Sequence, residues 1–214
     1  MHFLITAGPT REALDPVRYL SNRSSGRMGF ALAAAAVKAG HRVTLIAGPV
    51  QLATPEGVER LDVVSAQEMY EAVKGRLPRA EAAIFSAAVA DYRPARVAAQ
   101  KIKKAEETLT LTLERTPDIL GSVRKGFGWK GFLTGFAAET ENLIGNARGK
   151  LERKGCDLVV ANDVSRTGTG FDAKDNEVTL LWRGGAEETL PRMSKELLAA
   201  EIIRRIEETV TAKP

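Results

Sequence analysis

Apolar, strand-like runs alternate with amphipathic helical runs over the first two-thirds of this chain of 214 residues. Alternation of this kind is typical of a mostly parallel sheet with helices on both faces. Strands are predicted at His2–Ala7, Arg42–Gly48, Val58–Val64, Ala82–Ala88, Gly131–Ala137 and Asp157–Ala161. The runs Glu177–Trp182 and Glu188–Leu190 flank Gly184 and Gly185, which predicts an antiparallel hairpin at the C-terminal edge. The expected fold class is α/β, a doubly wound sheet in one domain covering residues 1–214.

Helix ends are predicted from local capping signals. Ser65 followed three residues later by Glu68 indicates a capping box for a helix that runs to about Arg76. Thr116 is the expected N-cap of a helix with Pro117 at its first position. The remaining helices are predicted at Gly26–Ala39, from Glu141 to about Lys154, and from the expected N-cap Ser194 to about Val210.

Two long irregular segments interrupt this pattern, Val89–Glu107 and Asn162–Lys174. After the first of them, leucines alternate with threonines from Leu109 to Leu113. A period of two residues indicates a strand with one buried face, so a half-buried strand is predicted there.

The connection between the first strand and the first helix, Gly8–Gly29, is about twenty residues long. Two to six residues are usual in α/β units, and a loop of this length in a compact domain is usually either functional or disordered; a functional loop is predicted here. Its polar side chains are Arg11, Asp15, Arg18, Tyr19, Asn22, Arg23, Ser24, Ser25 and Arg27. Hydroxyls, backbone N–H groups at the helix start and Arg27 could together bind a phosphate, while the Asn22 amide could hold an amide, carboxylate or acyl oxygen.

Polar clusters follow four predicted strands, after Ala7, Ala87, Phe136 and Ala161. In doubly wound sheets, ligands bind beyond the carboxyl ends of the strands where the strand order reverses. A single site built from several loops is therefore expected. Asp91 follows the central strand, where it could hold Mg²⁺ or a sugar hydroxyl.

Several cations are candidates for binding anions at such a site. Lys101–Lys104, KIKK, lies in the loop after the central strand; it could meet phosphates, form a nucleic-acid patch or be a solvated face. Lys150 and Lys154 share one helix face, although in isolation they would be expected only to complement the helix dipole.

Two common explanations of a glycine-rich strand-to-helix loop are excluded by the residues themselves. A dinucleotide fingerprint requires G-x-G-x-x-G, whereas this chain has Gly26-Arg27-Met28-Gly29, and Gly48-Pro49 stands where the ribose-binding acid belongs. The spacing of Tyr70 and Lys74 resembles that of short-chain reductases but is better explained as a helix surface. No Walker motif occurs, so the chain is not a P-loop enzyme.

The composition further narrows the functional classes to which the protein could belong. A net charge of +4 suits anionic substrates and nucleic acid equally, but aromatic residues are only 6% of the chain, which argues against RNA binding. Cys156 is the single cysteine and is expected to be a buried thiol, and His2 and His41 lack the spacing of a zinc site. No run is long enough for a membrane span and no signal peptide is visible, so a cytoplasmic protein is expected.

Six motifs in order carry a family resemblance: ITAGPTREALDPVRYLSNRSSGRMG, AAVADYRP, KIKK, TPDIL, GFAAET and ANDVS. Together they resemble phosphopantothenate–cysteine ligase, the synthetase half of the bacterial bifunctional coenzyme A biosynthesis protein, over nearly the whole chain. The flavin-dependent decarboxylase half is not in this sequence, and the chain could be a stand-alone enzyme or a domain excised from a longer protein. A decarboxylase domain or protein is a candidate to act next.

The resemblance implies a two-step reaction on a Rossmann-like three-layer sandwich. CTP activates the carboxylate of 4′-phosphopantothenate as an acyl-cytidylate with release of pyrophosphate. The amine of L-cysteine then forms the amide and releases CMP. The resemblance also implies Mg²⁺ and a homodimer in which the segment after the central strand contributes to the interface. No membrane or nucleic-acid partner is expected.

The resemblance also assigns residues by motif. Asn22 would hold the acyl-cytidylate in the second step, and Lys101 would stabilise charge on the α-phosphate in the first. The expected nucleotide-binding residues are Phe85, Ser86, Ala87, Asp91, Lys101, Pro117, Asp118, Ile119, Leu120, Phe136, Lys150 and Lys154, with Asp91 also a candidate Mg²⁺ ligand. Those expected at phosphopantothenate are Asn22, Ser24, Ser25, Gly26, Arg27, Ala88 and Asn162.

Two alternatives stay open at this point. An enzyme of the same fold could use ATP in place of CTP, as eukaryotic relatives do. A basic nucleotide- or RNA-binding module could explain the net charge and KIKK, and would show strongly salt-dependent binding.

Overall fold

The structure is a computed structural model that describes residues 1–104, 107–139, 141–163 and 175–212. Its strands are β1 (His2–Ala7), β2 (Arg11–Ala13), β3 (Tyr19–Ser21), β4 (Arg42–Ala47), β5 (Val58–Asp62), β6 (Ala82–Phe85), β7 (Tyr92–Pro94), β8 (Leu113–Arg115), β9 (Phe132–Glu139), β10 (Leu158–Asp163), β11 (Asp175–Trp182) and β12 (Glu187–Ser194). Its helices are α1 (Arg27–Lys38), α2 (Ala66–Arg76), α3 (Ile119–Lys125), α4 (Leu143–Lys154) and α5 (Lys195–Thr211), with a short 3-10 turn at Leu77–Arg79.

Within the described residues, eight strands form one sheet in the order β5-β4-β1-β6-β9-β10-β11-β12. The first six are parallel, whereas β11 and β12 pair antiparallel at the edge. This confirms the predicted α/β fold class with its antiparallel C-terminal edge. The chain moves outward from β1 to β4 and β5 and then returns to the other side of β1 with β6. The reversal of strand order therefore lies between β1 and β6, where a ligand crevice is expected.

Helices cover both faces of the sheet and give three layers. Because side chains alternate along a strand, Phe3 and Ile5 of β1 pack into the core beneath α1 and α5, while Leu4 packs into the core beneath α2, α3 and α4. Each large side chain buried in this way contributes about 1.5–3 kcal/mol to stability. None of the described helices is both long and apolar enough to span a bilayer.

Two of the three predicted caps are confirmed. The Ser65 hydroxyl accepts the N–H of Glu68, and the Ser194 hydroxyl accepts the N–H of Leu197. The third is wrong, because α3 is capped by Asp118, which accepts the N–H of Gly121.

The Thr116 hydroxyl, predicted to cap α3, donates instead to the Ala90 carbonyl. Pro117 accordingly precedes the helix instead of opening it. A contact to a distant part of the chain has thus moved the helix start by two residues.

The prediction of a half-buried strand around Leu109 is also wrong. The leucines at 109, 111 and 113 are 56%, 37% and 43% exposed, and pairing with β7 begins only at Leu113. The Gly8–Gly29 connection is partly regular, since β2 and β3 pair antiparallel within it. Asn162 and Asp163, predicted to be loop, end β10; residues 164–174 of that predicted loop lie outside the described part of the chain.

Candidate active site

The carboxyl ends of β1 and β6 stay paired beyond the sheet. Ser86 donates to the Thr6 carbonyl from its backbone N–H at 3.2 Å and from its hydroxyl at 2.7 Å. Further along, the N–H of Ala88 donates to the Gly8 carbonyl at 2.9 Å. The two segments that leave the central strands therefore run side by side, and they form a hydrogen-bonded floor at the reversal of strand order.

The start of α1 lies directly on this floor because Gly29 has no side chain. A Cβ atom at Gly29 would lie 2.4 Å from the Ala7 Cβ and 2.7 Å from the Ser86 Oγ. The N-cap of α1 is Gly26, which has a φ of 75° and no side chain to cap the first turn. The positive end of the α1 dipole is thus brought close to the strand ends.

A large cavity of about 930 Å³ opens on one side of the floor. Pockets for small molecules and cofactors commonly measure about 300–1,000 Å³, so a nucleotide fits this volume. The charged residues in its lining are the cations Arg115, Lys150, Arg153 and Lys154 and the carboxylates Asp91, Asp118 and Glu139. This mixture suits a polyphosphate with its counter-ion better than a bare anion.

Lys150 and Lys154 of α4 reach the cavity wall from one helix face. The Lys150 ammonium donates to the Phe136 carbonyl, and burial lowers its pKa because the charged form is disfavoured. The Lys154 ammonium donates to the Asp118 carboxylate. Burial alone would raise the pKa of Asp118, but hydrogen bonds from Lys154 and the Gly121 N–H hold it below its usual value. The two lysines therefore line the cavity, and their role in nucleotide binding stays a prediction.

A smaller cavity of about 70 Å³ adjoins the large one. The two share Ser86, Phe136 and Ala138 in their linings, so they meet at the ends of β6 and β9. The rest of the smaller lining is Ser24, Ser25, Gly26, Arg27, Met28, Gly29, Ala137, Asn162, Asn176 and Lys195. Among these described residues are two cations and no carboxylate, which favours an anionic ligand.

The structure brings most of the predicted site residues together. All of the predicted nucleotide-binding residues except Lys101 line the large cavity, as does Ala88. The phosphopantothenate-binding candidates Ser24, Ser25, Gly26, Arg27 and Asn162 line the smaller one. Asn22 lies in neither lining, but its amide donates to the carbonyls of Ala88 and Val89 at 3.1 Å, at the wall of the large cavity.

Lys101 lies apart from both cavities and is exposed. The next residue, Ile102, is bound through its backbone to Asp15 and Arg18 near the β2–β3 turn. The role of Lys101 in the first step therefore stays a prediction.

Several site residues were missed from the sequence. Asn146 and Arg153 lie within one turn of Lys150 on α4, so helical spacing could have indicated them. Arg115 ends β8 of the separate two-stranded β7–β8 sheet, and Glu139 ends β9 of the large sheet. Asn176 and Lys195 belong to the C-terminal hairpin and helix, and no motif pointed to them.

The described residues of the large cavity offer few side-chain ligands for Mg²⁺. Among the described residues, no three His, Cys, Asp or Glu side chains come together to hold a metal ion. Mg²⁺ commonly binds through one or two carboxylates and the phosphates of a substrate. The residues therefore fit an ion held mainly by a triphosphate, with Asp91 as the available carboxylate, and this assignment stays a prediction.

Cys156 is not part of this chemistry. Its side chain is fully buried, and burial raises the pKa of its thiol to about 11, so little thiolate exists at neutral pH. The prediction of a buried structural thiol is confirmed.

Comparisons with known proteins agree with this geometry. The family model of the DNA/pantothenate metabolism flavoprotein C-terminal domain matches residues 1–210. The coenzyme A biosynthesis bifunctional protein CoaBC of Vibrio vulnificus is 52% identical over 206 residues, covering 95% of this chain and 51% of that protein. Its counterpart in Escherichia coli is 47% identical over 215 residues, covering 97% and 53%. The chain thus spans about half the length of these curated relatives.

Solved structures give the same result. A crystal structure of the C-terminal domain of CoaBC has a TM-score of 0.84 and 40% identity, covering 98% of this chain and 95% of that one. A Cab2 mutant in complex with phosphopantothenate-cysteine, 19% identical with a TM-score of 0.78, covers 98% and 87% and shares the fold. The resemblance carried by the sequence motifs is confirmed, and the chain belongs to the family of the DNA/pantothenate metabolism flavoprotein C-terminal domain.

Proposed function

We propose that this domain joins 4′-phosphopantothenate to L-cysteine, with CTP as the activating nucleotide, and so makes 4′-phosphopantothenoylcysteine for coenzyme A biosynthesis. One observation carries the proposal: a large cavity of mixed charge and a small cationic cavity meet at Ser86, Phe136 and Ala138. Two anionic substrates bound in adjoining cavities would have their reacting ends at this junction. The curated relatives are coenzyme A biosynthesis proteins, which supports the same pathway.

In the first step, a carboxylate oxygen of phosphopantothenate attacks the α-phosphorus of CTP, and the bond to pyrophosphate breaks. The nucleoside would lie against Phe85, Ser86 and Ala87, with the triphosphate near the start of α3 at Pro117–Leu120. Because two anions approach each other, the cations of the large cavity must offset their repulsion and the charge that develops at phosphorus. A Mg²⁺ ion held by the triphosphate and Asp91 would supply further neutralisation.

In the second step, the cysteine amine attacks the activated carbonyl carbon and the amide bond forms. The bond between that carbon and the bridging oxygen breaks, so CMP leaves with this oxygen still on phosphorus, and the nitrogen loses a proton to solvent. The Asn22 amide, fixed by its two hydrogen bonds beside Ala88 and Val89, is the group that we assign to hold the acyl-cytidylate. Positioning and charge stabilisation are sufficient for this chemistry, so the protein needs no nucleophile of its own.

The proposal includes a homodimer. Apolar side chains are exposed along the segment after β6, namely Tyr92, Val97, Leu109, Leu111 and Leu113. A second copy of the chain would bury them, in agreement with the interface that the family resemblance implies. A flavin-dependent decarboxylase, as a domain or a separate protein, would take the product next.

The test is a nucleotide assay on the purified domain. Pyrophosphate should be released from CTP only when 4′-phosphopantothenate is present, and CMP only once L-cysteine is added. Replacing CTP with ATP in the same assay distinguishes the two nucleotides, and faster turnover with ATP would overturn the choice of CTP. Release of neither pyrophosphate nor CMP under any of these conditions would contradict the ligase itself.

A further inference from the structure

Two of the four cations that line the large cavity are not engaged by other described residues. The ammonium groups of Lys150 and Lys154 donate to acceptors within the protein. By contrast, the guanidinium groups of Arg115 on β8 and Arg153 on α4 form no hydrogen bond or ion pair with any residue that the structure describes. An anion in the cavity can therefore bind these two cations without breaking a contact inside the protein.

The position of the Arg153 side chain depends on a glycine one turn earlier in α4. Side chains of an α-helix lean toward its N-terminus, so the residue at i+4 lies over the residue at i. Apart from chain neighbours and the helix backbone, the three heavy atoms nearest to a Cβ at Gly149 would be the Arg153 Nη1 at 2.6 Å, Cζ at 3.5 Å and Nη2 at 3.9 Å. The guanidinium thus occupies the space of the missing methyl group. Although Arg153 is exposed, its charge lies against the helix wall of the cavity.

Gly149 is unfavourable for the helix itself. Glycine in a helix interior lowers stability relative to alanine, because it loses more backbone freedom on folding. No turn or positive φ requires a glycine here, since Gly149 lies within the regular helix Leu143–Lys154. What the glycine provides is room for the Arg153 guanidinium beside Lys150.

This guanidinium lies on the wall where the proposed function places the triphosphate. Arg153 immediately precedes Lys154, whose ammonium donates to the Asp118 carboxylate at the start of α3. That ion pair neutralises both of its charges, whereas no described carboxylate pairs with Arg153. A guanidinium binds phosphate through two parallel hydrogen bonds. With the α-phosphate at the junction of the two cavities, the terminal phosphates of a nucleotide would extend toward this part of α4.

We propose that Arg153 binds the β- and γ-phosphates of the nucleotide and makes the site distinguish the triphosphate substrate from the monophosphate product. This inference rests on the proposed ligase function. The two terminal phosphates leave as pyrophosphate when the acyl-cytidylate forms, so the contact holds CTP before the first step and is absent once only CMP remains. Arg153 thereby strengthens substrate binding without slowing the release of CMP after the second step.

The test compares Arg153→Gln with Arg148→Gln, a matched control on the same helix. Arg148 pairs with Glu187 of β12 and lies in the lining of neither described cavity. Binding of CTP, CMP and inorganic pyrophosphate to the purified protein is measured by calorimetry at constant ionic strength, and KM for CTP by pyrophosphate release. We expect Arg153→Gln to weaken CTP and pyrophosphate binding about tenfold and to raise the KM for CTP equally, with CMP affinity and the KM for 4′-phosphopantothenate unchanged. Arg148→Gln should match the wild type throughout.

Gly149→Ala tests the same contact without removing the charge. Its methyl group displaces the guanidinium from its place over the helix, while the substitution itself should raise the melting temperature. We expect CTP and pyrophosphate to bind about threefold more weakly, again with CMP unchanged. Adding Gly149→Ala to Arg153→Gln should cause no further loss, because both changes act through one side chain. Weaker CTP binding in a protein of higher melting temperature separates the effect from a loss of stability.

Equal weakening of CTP and CMP binding in Arg153→Gln, or an unchanged affinity for pyrophosphate, would overturn the inference. Additive losses from Gly149→Ala and Arg153→Gln would also count against it, since Gly149 would then act on the nucleotide by another route. If the three ligands bind as expected but the wild type releases no pyrophosphate in the presence of 4′-phosphopantothenate, the ligase function fails and the phosphate contact does not. If the wild type releases pyrophosphate and Arg153→Gln keeps the wild-type KM for CTP, the inference fails and the ligase function does not.

Discussion

The carboxylate of Asp15 accepts a hydrogen bond from the backbone N–H of Ile102, 3.1 Å away. Arg18 completes this contact, since its guanidinium donates to the Asp15 carboxylate at 2.6 Å and to the Ile102 carbonyl at 3.0 Å. The hydrogen bond from Arg18 is the main reason why the pKa of the buried Asp15 is held far below its usual value. Asp15 thereby fixes the segment that carries Lys101 to the β2–β3 turn.

Replacing Asp15 with asparagine should release this segment. We expect Asp15→Asn to slow pyrophosphate release by roughly 10- to 100-fold, because misplacement of a charged group by about an ångström can cost that much, while the KM for CTP stays near the wild-type value. Glu114→Gln is the matched control, since Glu114 pairs with Arg93 at the exposed β7–β8 hairpin. Equal rates for Asp15→Asn and the wild type would show that the contact between Asp15 and Ile102 does not position Lys101.

The same variant has a signature in the pH dependence of stability. The folded-state pKa of Asp15 is lowered, so its stabilising contribution is present above the pKa of the unfolded chain, about 4, and is lost as the pH falls. The difference in free energy of unfolding between the wild type and Asp15→Asn should be largest near pH 7 and shrink below about pH 4. Urea unfolding across this range measures it, and a difference independent of pH would exclude the carboxylate as its source.

Lys101 and Asn22 should affect different steps. Lys101→Ala is expected to abolish pyrophosphate release, whereas Asn22→Asp should let the acyl-cytidylate form and then fail to process it. Aspartate at position 22 also places a carboxylate against the Ala88 and Val89 carbonyls, so the loop end should loosen in that variant. Lys104→Ala, at an exposed lysine of the same segment, is the control. Equal loss of both half-reactions in Lys101→Ala and Asn22→Asp would contradict the separate roles.

The sequence predicted what depends on local pattern and missed what depends on distant contacts. Ser65 and Ser194 were identified as caps because their partners lie three residues away. Thr116 was misassigned because its hydroxyl bonds to Ala90, a residue 26 positions earlier. The alternation at Leu109–Leu113 has the period of a strand, but it does not show whether other parts of the chain bury these leucines.

The same limit applies to the site. The strand ends were predictable because parallel strands bring their carboxyl ends to one edge of the sheet, and the large cavity forms there. The position of Lys101 could not be predicted, since it depends on a hydrogen bond between Ile102 and Asp15, which are 87 positions apart in the chain. Lys195 was missed because its near-complete burial cannot be foreseen for a lysine.

The lowered pKa of Lys150 predicts the pH dependence of nucleotide binding. Burial lowers that pKa in the free protein, and a bound triphosphate favours the charged ammonium and raises it again. Affinity for CTP should therefore fall as the pH rises through the free-protein pKa, below the usual value for lysine of about 10.4. In Lys150→Arg the fall should move to higher pH, because a guanidinium stays charged. The KM for CTP from about pH 7 to pH 10 is the measurement, and identical profiles for the two proteins would exclude Lys150 as the titrating group.

Gly29 and Gly75 should respond in opposite directions to alanine. A methyl group at Gly29 meets Ala7 and Ser86 at distances that real Cβ atoms do not adopt, so α1 must shift away from β1. Overpacking of this kind costs about 1–3 kcal/mol, and we expect Gly29→Ala to lose that stability together with ligase activity, because Ser86 lies where the two cavities meet.

Gly75 lies within α2, and apart from the backbone of its own helix no described atom comes within 4 Å of the point where a Cβ would lie. Gly75→Ala should therefore stabilise by about 0.5–1 kcal/mol and leave activity unchanged. Urea unfolding at pH 7 compares both with the wild type. A Gly29→Ala protein as stable and active as the wild type would show that the close contact of α1 with the floor is not needed to shape the site.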